Sequence, residues 1–280
     1  MSGKLFIVAT PIGNLGDISE RALSVLREVD LIAVEDTRHS RTLLQQFGIS
    51  TPMLAYHDFN EGQQVAKLLE RITSGEDIAL ISDAGTPLVS DPGYQLVRQA
   101  HIRGIKVVPV PGASAVIAAL CSAGLASDRF TFEGFLPARS AARKATLQAL
   151  QKESRTMIFY EAPHRIVECL VDMLECLGGG REITMARELT KTFETIKHTT
   201  VAELLEMVRN DANQQKGEIV LVVAGSRAEA QLIDPQVLHT LKVLLADLPL
   251  KHACALAAQI TGIKKNFLYE AALQMKQKKD

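Results

Sequence analysis

Apolar runs and amphipathic stretches alternate through the first 110 residues. "KLFIVAT" (4–10) is apolar almost throughout, the mark of a strand buried on both faces. "SERALSVLREV" (19–29) follows with Ala22, Leu23, Leu26 and Val29 on one helical face. The pattern repeats as strand "DLIAVED" (30–36), helix "RTLLQQFG" (41–48), strand "MLAY" (53–56) and helix "EGQQVAKLLERITSG" (61–75). Strand "DIALISD" (77–83), helix "YQLVRQAHIRG" (94–104) and strand "IKVVPV" (105–110) complete it. Strand–helix–strand alternation of this kind predicts a parallel α/β sheet with right-handed crossovers.

The rhythm changes after Gly124. Strands are expected at 130–134, 155–160, 182–188, 193–199 and 218–224, and helices at 139–152, 163–177 and 201–210. Two strands in succession, 182–188 and 193–199, predict an antiparallel pair and hence a mixed sheet. The expected organisation is an N-terminal α/β domain at 1–121 and a second α/β domain at 122–226. A polar linker then leads to a helical C-terminal extension at 234–276.

Chemistry gathers where the strands end. In an open parallel sheet, ligands bind outside the carboxyl ends of the strands. Those ends carry "TPIGNLGD" (10–17), "EDTRHSR" (35–41), "SDAGTPLVSDPG" (82–93), "PGASAV" (111–116) and, in the second domain, "YEAPHR" (160–165). Each is also ordinary turn chemistry. None contains the G-K-[ST] of a phosphate-binding loop or a G-x-G-x-x-G, so ATP-dependent and dinucleotide readings are disfavoured.

Composition narrows this further. Across 280 residues, 31 Lys and Arg face 32 Asp and Glu, so nucleic-acid binding would need a local basic patch. The four cysteines, Cys121, Cys169, Cys176 and Cys254, form no C-x-x-C pair and read as reduced thiols. The histidines lack ligand-like spacing, so no metal site is expected. No apolar run approaches the ~18 residues of a membrane span, and a cytoplasmic protein without membrane attachment is expected.

The set "ATPIGNL", "AVEDTRHSR", "ISDAGTPLVSDPG", "VPGASA", "EGFLPAR", "FYEAPHR" and "ARELTK" resembles the ribosomal RNA small subunit methyltransferase I family. Those proteins are 2′-O-ribose cytidine methyltransferases of the tetrapyrrole-methylase-like class. The resemblance spans essentially the whole chain. It implies S-adenosylmethionine folded into a cleft between two α/β domains, ribosomal RNA in the small subunit as acceptor, and a homodimer. Carried onto this sequence, it puts Asp83, Thr86, Leu88 and Val89 at the methionine part of the donor, with Ser114 and Ala115 presenting backbone groups. Pro11 and Ile12 would form one wall, Phe159 and Tyr160 another, with Ala186 and Glu218 near the adenine.

Ribose methylation needs an oriented hydroxyl and a group that takes its proton. Asp36, Arg38 and Glu161 are the catalytic candidates, with Glu35, Asp83, His164, Arg165, Arg187 and Lys191 nearby in the same motifs. Asp36 reads equally as a helix cap, and Glu161 as a partner of Arg165. The sequence leaves the base unassigned. For RNA, Arg139, Arg143 and Lys144 cluster after "EGFLP". Lys264 and Lys265 would open the second helix of a helix-turn-helix-like tail, where the macrodipole disfavours cations unless an anion is bound. A small-molecule methyltransferase of the same fold and a non-catalytic RNA-binding assembly module remain as alternatives.

Overall fold

The computed structural model describes residues 2–57, 61–226, 235–263 and 265–277. By its internal contacts the chain divides into two compact units, 1–151 with 155–224, and 152–154 with 225–280.

The first unit holds two five-stranded sheets. The first comprises β1 (Lys4–Val8), β2 (Leu31–Val34), β3 (Met53–Ala55), β4 (Ile78–Ile81) and β5 (Lys106–Val110). All its pairings are parallel, in the order β3-β2-β4-β1-β5. Helices cover both faces. Leu5, Ile78 and Leu80 pack with α3 (Glu61–Thr73) and α4 (Tyr94–Ile102). Val8, Ala79 and Ile81 pack with α1 (Glu20–Glu28) and α2 (Thr37–Gln46). Burial on both sides is why these strands read as unbroken apolar runs.

The strands are one to three residues shorter than their apolar runs, because the flanking residues already belong to the loops. Helix α2 begins four residues before the predicted 41–48 segment. The Asp36 carboxylate accepts the Arg38 N–H at 2.7 Å and caps the first turn, which periodicity could not reveal because that turn is polar.

The chain leaves the first sheet through α5 (Ala115–Ser122). The second sheet comprises β6 (Phe130–Phe135), β7 (Thr156–Glu161), β8 (Glu182–Arg187), β9 (Thr195–Thr200) and β10 (Ile219–Val223), ordered β6-β7-β10-β8-β9. Only β6 and β7 run parallel; the other pairs are antiparallel, as in the mixed sheet expected. Helices α6 (Ser140–Ala149), α7 (Ile166–Leu177) and α8 (Val201–Asn210) cover one face over Met157, Phe159, Met185 and Leu221. The other face lies against α5 and the loops of the first sheet.

The second unit is a bundle of α9 (Pro235–Asp247), α10 (Leu250–Thr261) and α11 (Lys265–Gln277). Leu241, Cys254, Ala257, Leu268 and Ala272 form its core. Helix α10 stops at Gly262, which takes the left-handed φ of 72° typical of such ends. Among the described residues, no helix is long and apolar enough to cross a membrane.

Candidate active site

The strand order creates a switch point. The chain passes from β1 over β4 to β2, and from β4 over β1 to β5, so a crevice opens beyond the carboxyl ends of β1 and β4. Two loops are stitched together there. The Thr10 N–H donates to the Gly85 carbonyl at 2.8 Å, and the Gly85 N–H returns a bond to the Thr10 carbonyl at 3.1 Å. The Thr86 hydroxyl donates to the Ala113 carbonyl at 2.9 Å and ties in the loop after β5.

This cradle is conformationally strained. Among the described residues, the non-glycine residues with left-handed φ are Leu88, Ser90, Glu188 and Thr190, at 71°, 69°, 51° and 67°. They occupy two loops only, the one after β4 and the one after β8. Such strain persists where the surroundings over-determine it, and it clusters at functional sites. Gly85, at φ 82°, lies so close to Ile12 that a Cβ would sit 3.2 Å from its Cγ2. A Cβ on Gly13 would sit 2.5 Å from Lys191 Cγ, so the loop after β1 touches the turn after β8.

The second sheet closes the other side. Its Ile158, Ala186, Val220 and Val222 share one core with Ile12, Val116, Ala119 and Leu120, with Val89 and Tyr160 packed against it. The Val116 N–H at the start of α5 faces the Tyr160 phenol and acts to lower its pKa, but burial outweighs it. Burial, then the nearby Asp91 charge, pushes the phenol up to about 12, so it stays neutral. Ser114 caps α5 without a side-chain bond, so the first turn points N–H groups and positive dipole at the crevice.

Two residues expected at the cofactor, Phe159 in the wall and Leu88 in the loop after β4, turn their side chains away from the crevice. Phe159 is fully buried and belongs to the far core with α7, because adjacent strand residues face opposite sides and Tyr160 takes the crevice side. Leu88 turns its side chain into the first sheet's core, leaving backbone at the loop. Pro11, Ile12, Asp83, Thr86, Val89, Ser114, Ala115, Tyr160 and Ala186 all belong to these loops or to the facing sheet. The Glu218 carboxylate is exposed and pairs with Lys191 at 3.0 Å.

The catalytic candidates sort by geometry. Asp36 holds Arg38 through two side-chain bonds, 2.7 and 3.2 Å long. Those bonds, the Arg38 side chain first, hold the Asp36 carboxyl far below the usual range and make it a poor base. Glu161 has a side chain with no exposure; it accepts the Ala162 N–H at 2.8 Å and lies 3.2 Å from the Arg165 guanidinium. Glu161 therefore clamps the turn after β7, with its side chain closed to solvent. Arg187 is buried likewise, donating to the Phe193 carbonyl and the Thr195 hydroxyl.

The sequence reading missed His39. Its Nδ1 lies 3.1 Å from Asp83 Oδ2, and the other Asp83 oxygen accepts the Asp36 N–H at 3.1 Å. Asp83, first by this hydrogen bond and then by its charge, raises the imidazole above the ordinary value of 6.5. The available signal was the cap: with Asp36 at the N-cap, His39 stands at the third helical position, beside the capping loop.

The basic segment is split as well. Arg139 is exposed at the cap of α6. Arg143 is 1% exposed and donates to the Asp172 carboxylate at 2.6 Å, so no phosphate can reach it. Lys144 pairs with Glu175 at 2.5 Å and lies 3.7 Å from Asp172. Helical periodicity turned Arg143 onto the same face as Leu147. Lys265 is exposed at the start of α11, and Lys264 lies outside the described residues.

Known proteins match along the full chain. Residues 4–205 match the family described as Tetrapyrrole (Corrin/Porphyrin) Methylases, and residues 231–276 match the RsmI C-terminal HTH domain. A ribosomal RNA small subunit methyltransferase I of Pseudomonas aeruginosa is 60% identical, with 98% of each chain covered. The protein of that name from Escherichia coli O157:H7 is 55% identical over 97% of this chain and 95% of its own. The chain belongs to the ribosomal RNA small subunit methyltransferase I family. Its fold is that of the tetrapyrrole methylases. A cobalt precorrin-4 methyltransferase of cobalamin biosynthesis superposes with a TM-score of 0.57 at 18% identity, covering 78% of this chain and 94% of its own. A diphthine synthase gives 0.58 at 17% identity, covering 79% and 90%.

Proposed function

We propose that the protein transfers a methyl group from S-adenosylmethionine to the 2′-hydroxyl of a cytidine in small-subunit ribosomal RNA. The observation that carries the reading is the cradle, three loops bonded through Thr10, Gly85, Thr86 and Ala113 and faced by Tyr160 and Ala186. Near-complete coverage by relatives named for small-subunit ribosomal RNA methylation supports the acceptor class.

The residues fit the donor. Open N–H groups at the start of α5 suit its carboxylate. Backbone from Gly85 to Val89 can approach the methionine part closely, because Gly85 carries no Cβ there. The half-buried Tyr160 ring and Val89, packed over the core that holds Ala186 and Val220, give an apolar surface for the adenine. Bound there, S-adenosylmethionine would supply an electrophilic methyl group.

The protein's own work is orientation and proton transfer. In this reading His39, neutral and tilted by Asp83 on Nδ1, receives the acceptor hydroxyl's proton at Nε2. Arg38, with its guanidinium 88% exposed, and Asp36 fix the start of α2 that carries it. Arg139 and Lys265, both exposed, contact phosphates and position the RNA without reading sequence. The acceptor makes this a cytoplasmic activity, and pairing of two copies follows from the family resemblance.

The test is labelled-methyl transfer to small ribosomal subunits, to naked small-subunit RNA and to a tetrapyrrole. With charges nearly balanced, 31 against 32, non-specific attraction is weak and shape must contribute. Subunits should be labelled fastest and the tetrapyrrole not at all. Label on the tetrapyrrole alone would return the small-molecule reading.

A further inference from the structure

Strand β6 holds one residue more than its neighbour can pair. Phe132 pairs with Ile158 and Gly134 with Phe159, so the register slips around Glu133. Gly134 takes a left-handed φ of 65° beside the slip, and the Thr131 hydroxyl donates to the Glu133 carboxylate.

The slip decides where the next ring points. Phe132 packs on the crevice-side core. Strict alternation from Phe132 would send residue 135 to the far core and residue 136 to the crevice. The bulge reverses both. Leu136 is 3% exposed within the far core, and Phe135 stands opposite Tyr160 with ring centroids 5.5 Å apart at 61°. Bulges beside functional sites commonly re-aim a side chain in this way.

Burial does not explain the result. Phe135 is 56% exposed, whereas alternation would have turned it toward the far core. Its support is packed. Tyr160 meets Phe132 at 4.9 Å and 68°, and both rings lie on the crevice-side core. The loop after β4 lies beside it, since a Cβ on Gly134 would sit 3.8 Å from Ser90 Oγ. An open aromatic ring on a fixed support, at the rim of the crevice, matches what proteins offer to unstacked bases.

We propose that Phe135 is a stacking platform for an unpaired nucleobase of the RNA acceptor, the target base or its neighbour. This rests on RNA being the acceptor, as proposed above. The adenine of the methyl donor is the other source of the same chemistry. Further in, the same row is closed, with Val220 and Ala186 at 5% and 0% exposed, so the open ring at its edge is the part a base of the polymer reaches.

The chain has no tryptophan, so Phe135→Trp creates a single fluorescent reporter at the platform. Small-subunit RNA should quench its emission, and S-adenosylmethionine alone should not. Phe135→Ala should weaken RNA binding by roughly 5- to 150-fold, the range one base–aromatic stack provides. Its donor affinity and melting temperature should stay within error of the unmodified protein. Phe135→Leu keeps apolar bulk without a π face and should behave like Phe135→Ala, while Phe135→Trp should bind RNA normally. Unchanged RNA affinity in Phe135→Ala, full rescue by Phe135→Leu, or quenching by the donor alone would each overturn the proposal. The two readings fail separately. RNA quenching without methyl transfer would sink the catalytic function and keep the platform; methylation unaffected by Phe135→Ala would do the reverse.

Discussion

Replacing Asp172 by Ala should unfold much of what Arg143 holds together. The Arg143 guanidinium and the Asp172 carboxylate are 2.6 Å apart, with side chains 1% and 5% exposed. Once Asp172 is gone, Arg143 retains the Ala138 carbonyl at 3.1 Å, the Pro137 carbonyl at 3.4 Å and the distant, exposed Glu168 at 3.8 Å. Only Glu168 among these is charged, and its exposed, longer contact offsets little of what the buried guanidinium loses. Removing one partner of a buried pair costs about 3–5 kcal/mol. The neighbouring Lys144–Glu175 pair is exposed, so Glu175→Ala should cost only about 0.2–1 kcal/mol. The double change Arg143→Met with Asp172→Leu should recover most of the loss, since an apolar pair of similar volume often matches a buried ion pair. Urea unfolding of the full chain followed by circular dichroism reads these differences, alongside RNA affinity over a salt series. A loss below about 1 kcal/mol in Asp172→Ala would refute the structural assignment of Arg143. So would a stable Arg143→Met variant with a flattened salt slope.

Gly85→Val should leave the chain folded and reduce S-adenosylmethionine affinity about tenfold or more. A left-handed β-branched residue costs at least about 1–2 kcal/mol, and its Cβ would press on Ile12 beside the Thr10 bonds; wild-type affinity by calorimetry would contradict this. Methylation should rise with pH through an inflection above that of an ordinary histidine, because His39 accepts a proton only when neutral and Asp83 raises its pKa. Asp83→Asn should move that inflection down and His39→Gln should abolish it, and an inflection unmoved by both would remove His39 from the mechanism. Arg139→Ala and Lys265→Ala should each flatten the salt dependence of RNA binding by about one unit of slope without altering donor affinity. An unchanged slope would make them ordinary surface charges.

What the sequence disclosed follows from how far each signal reaches. The parallel strands were legible because burial on both faces demands unbroken apolar runs, as in "IALI" of β4. The crevice loops were legible because strand ends and turn residues mark them. The roles within those loops were not. Asp36 and Glu161 look like free carboxylates until their partners, Arg38 and Arg165, are placed. Arg143 looks like a surface cation until α7 brings Asp172 beside it, 29 residues away. Phe159 and Tyr160 look interchangeable until the sheet's faces are assigned. The β6 bulge leaves only a glycine as its trace, so the exposure of Phe135 needed the register itself.

The central claim is methylation of a ribose in small-subunit RNA, and a mass map of that RNA tests it most directly. Small subunits from cells lacking this gene would be incubated with the purified protein and S-adenosylmethionine, then digested with nuclease and mapped. The account predicts one fragment heavier by a single methyl, with the mass on the sugar of a cytidine, and no gain with His39→Gln. A methyl on a base, several methylated sites, or an unchanged map with active donor-bound protein would contradict it.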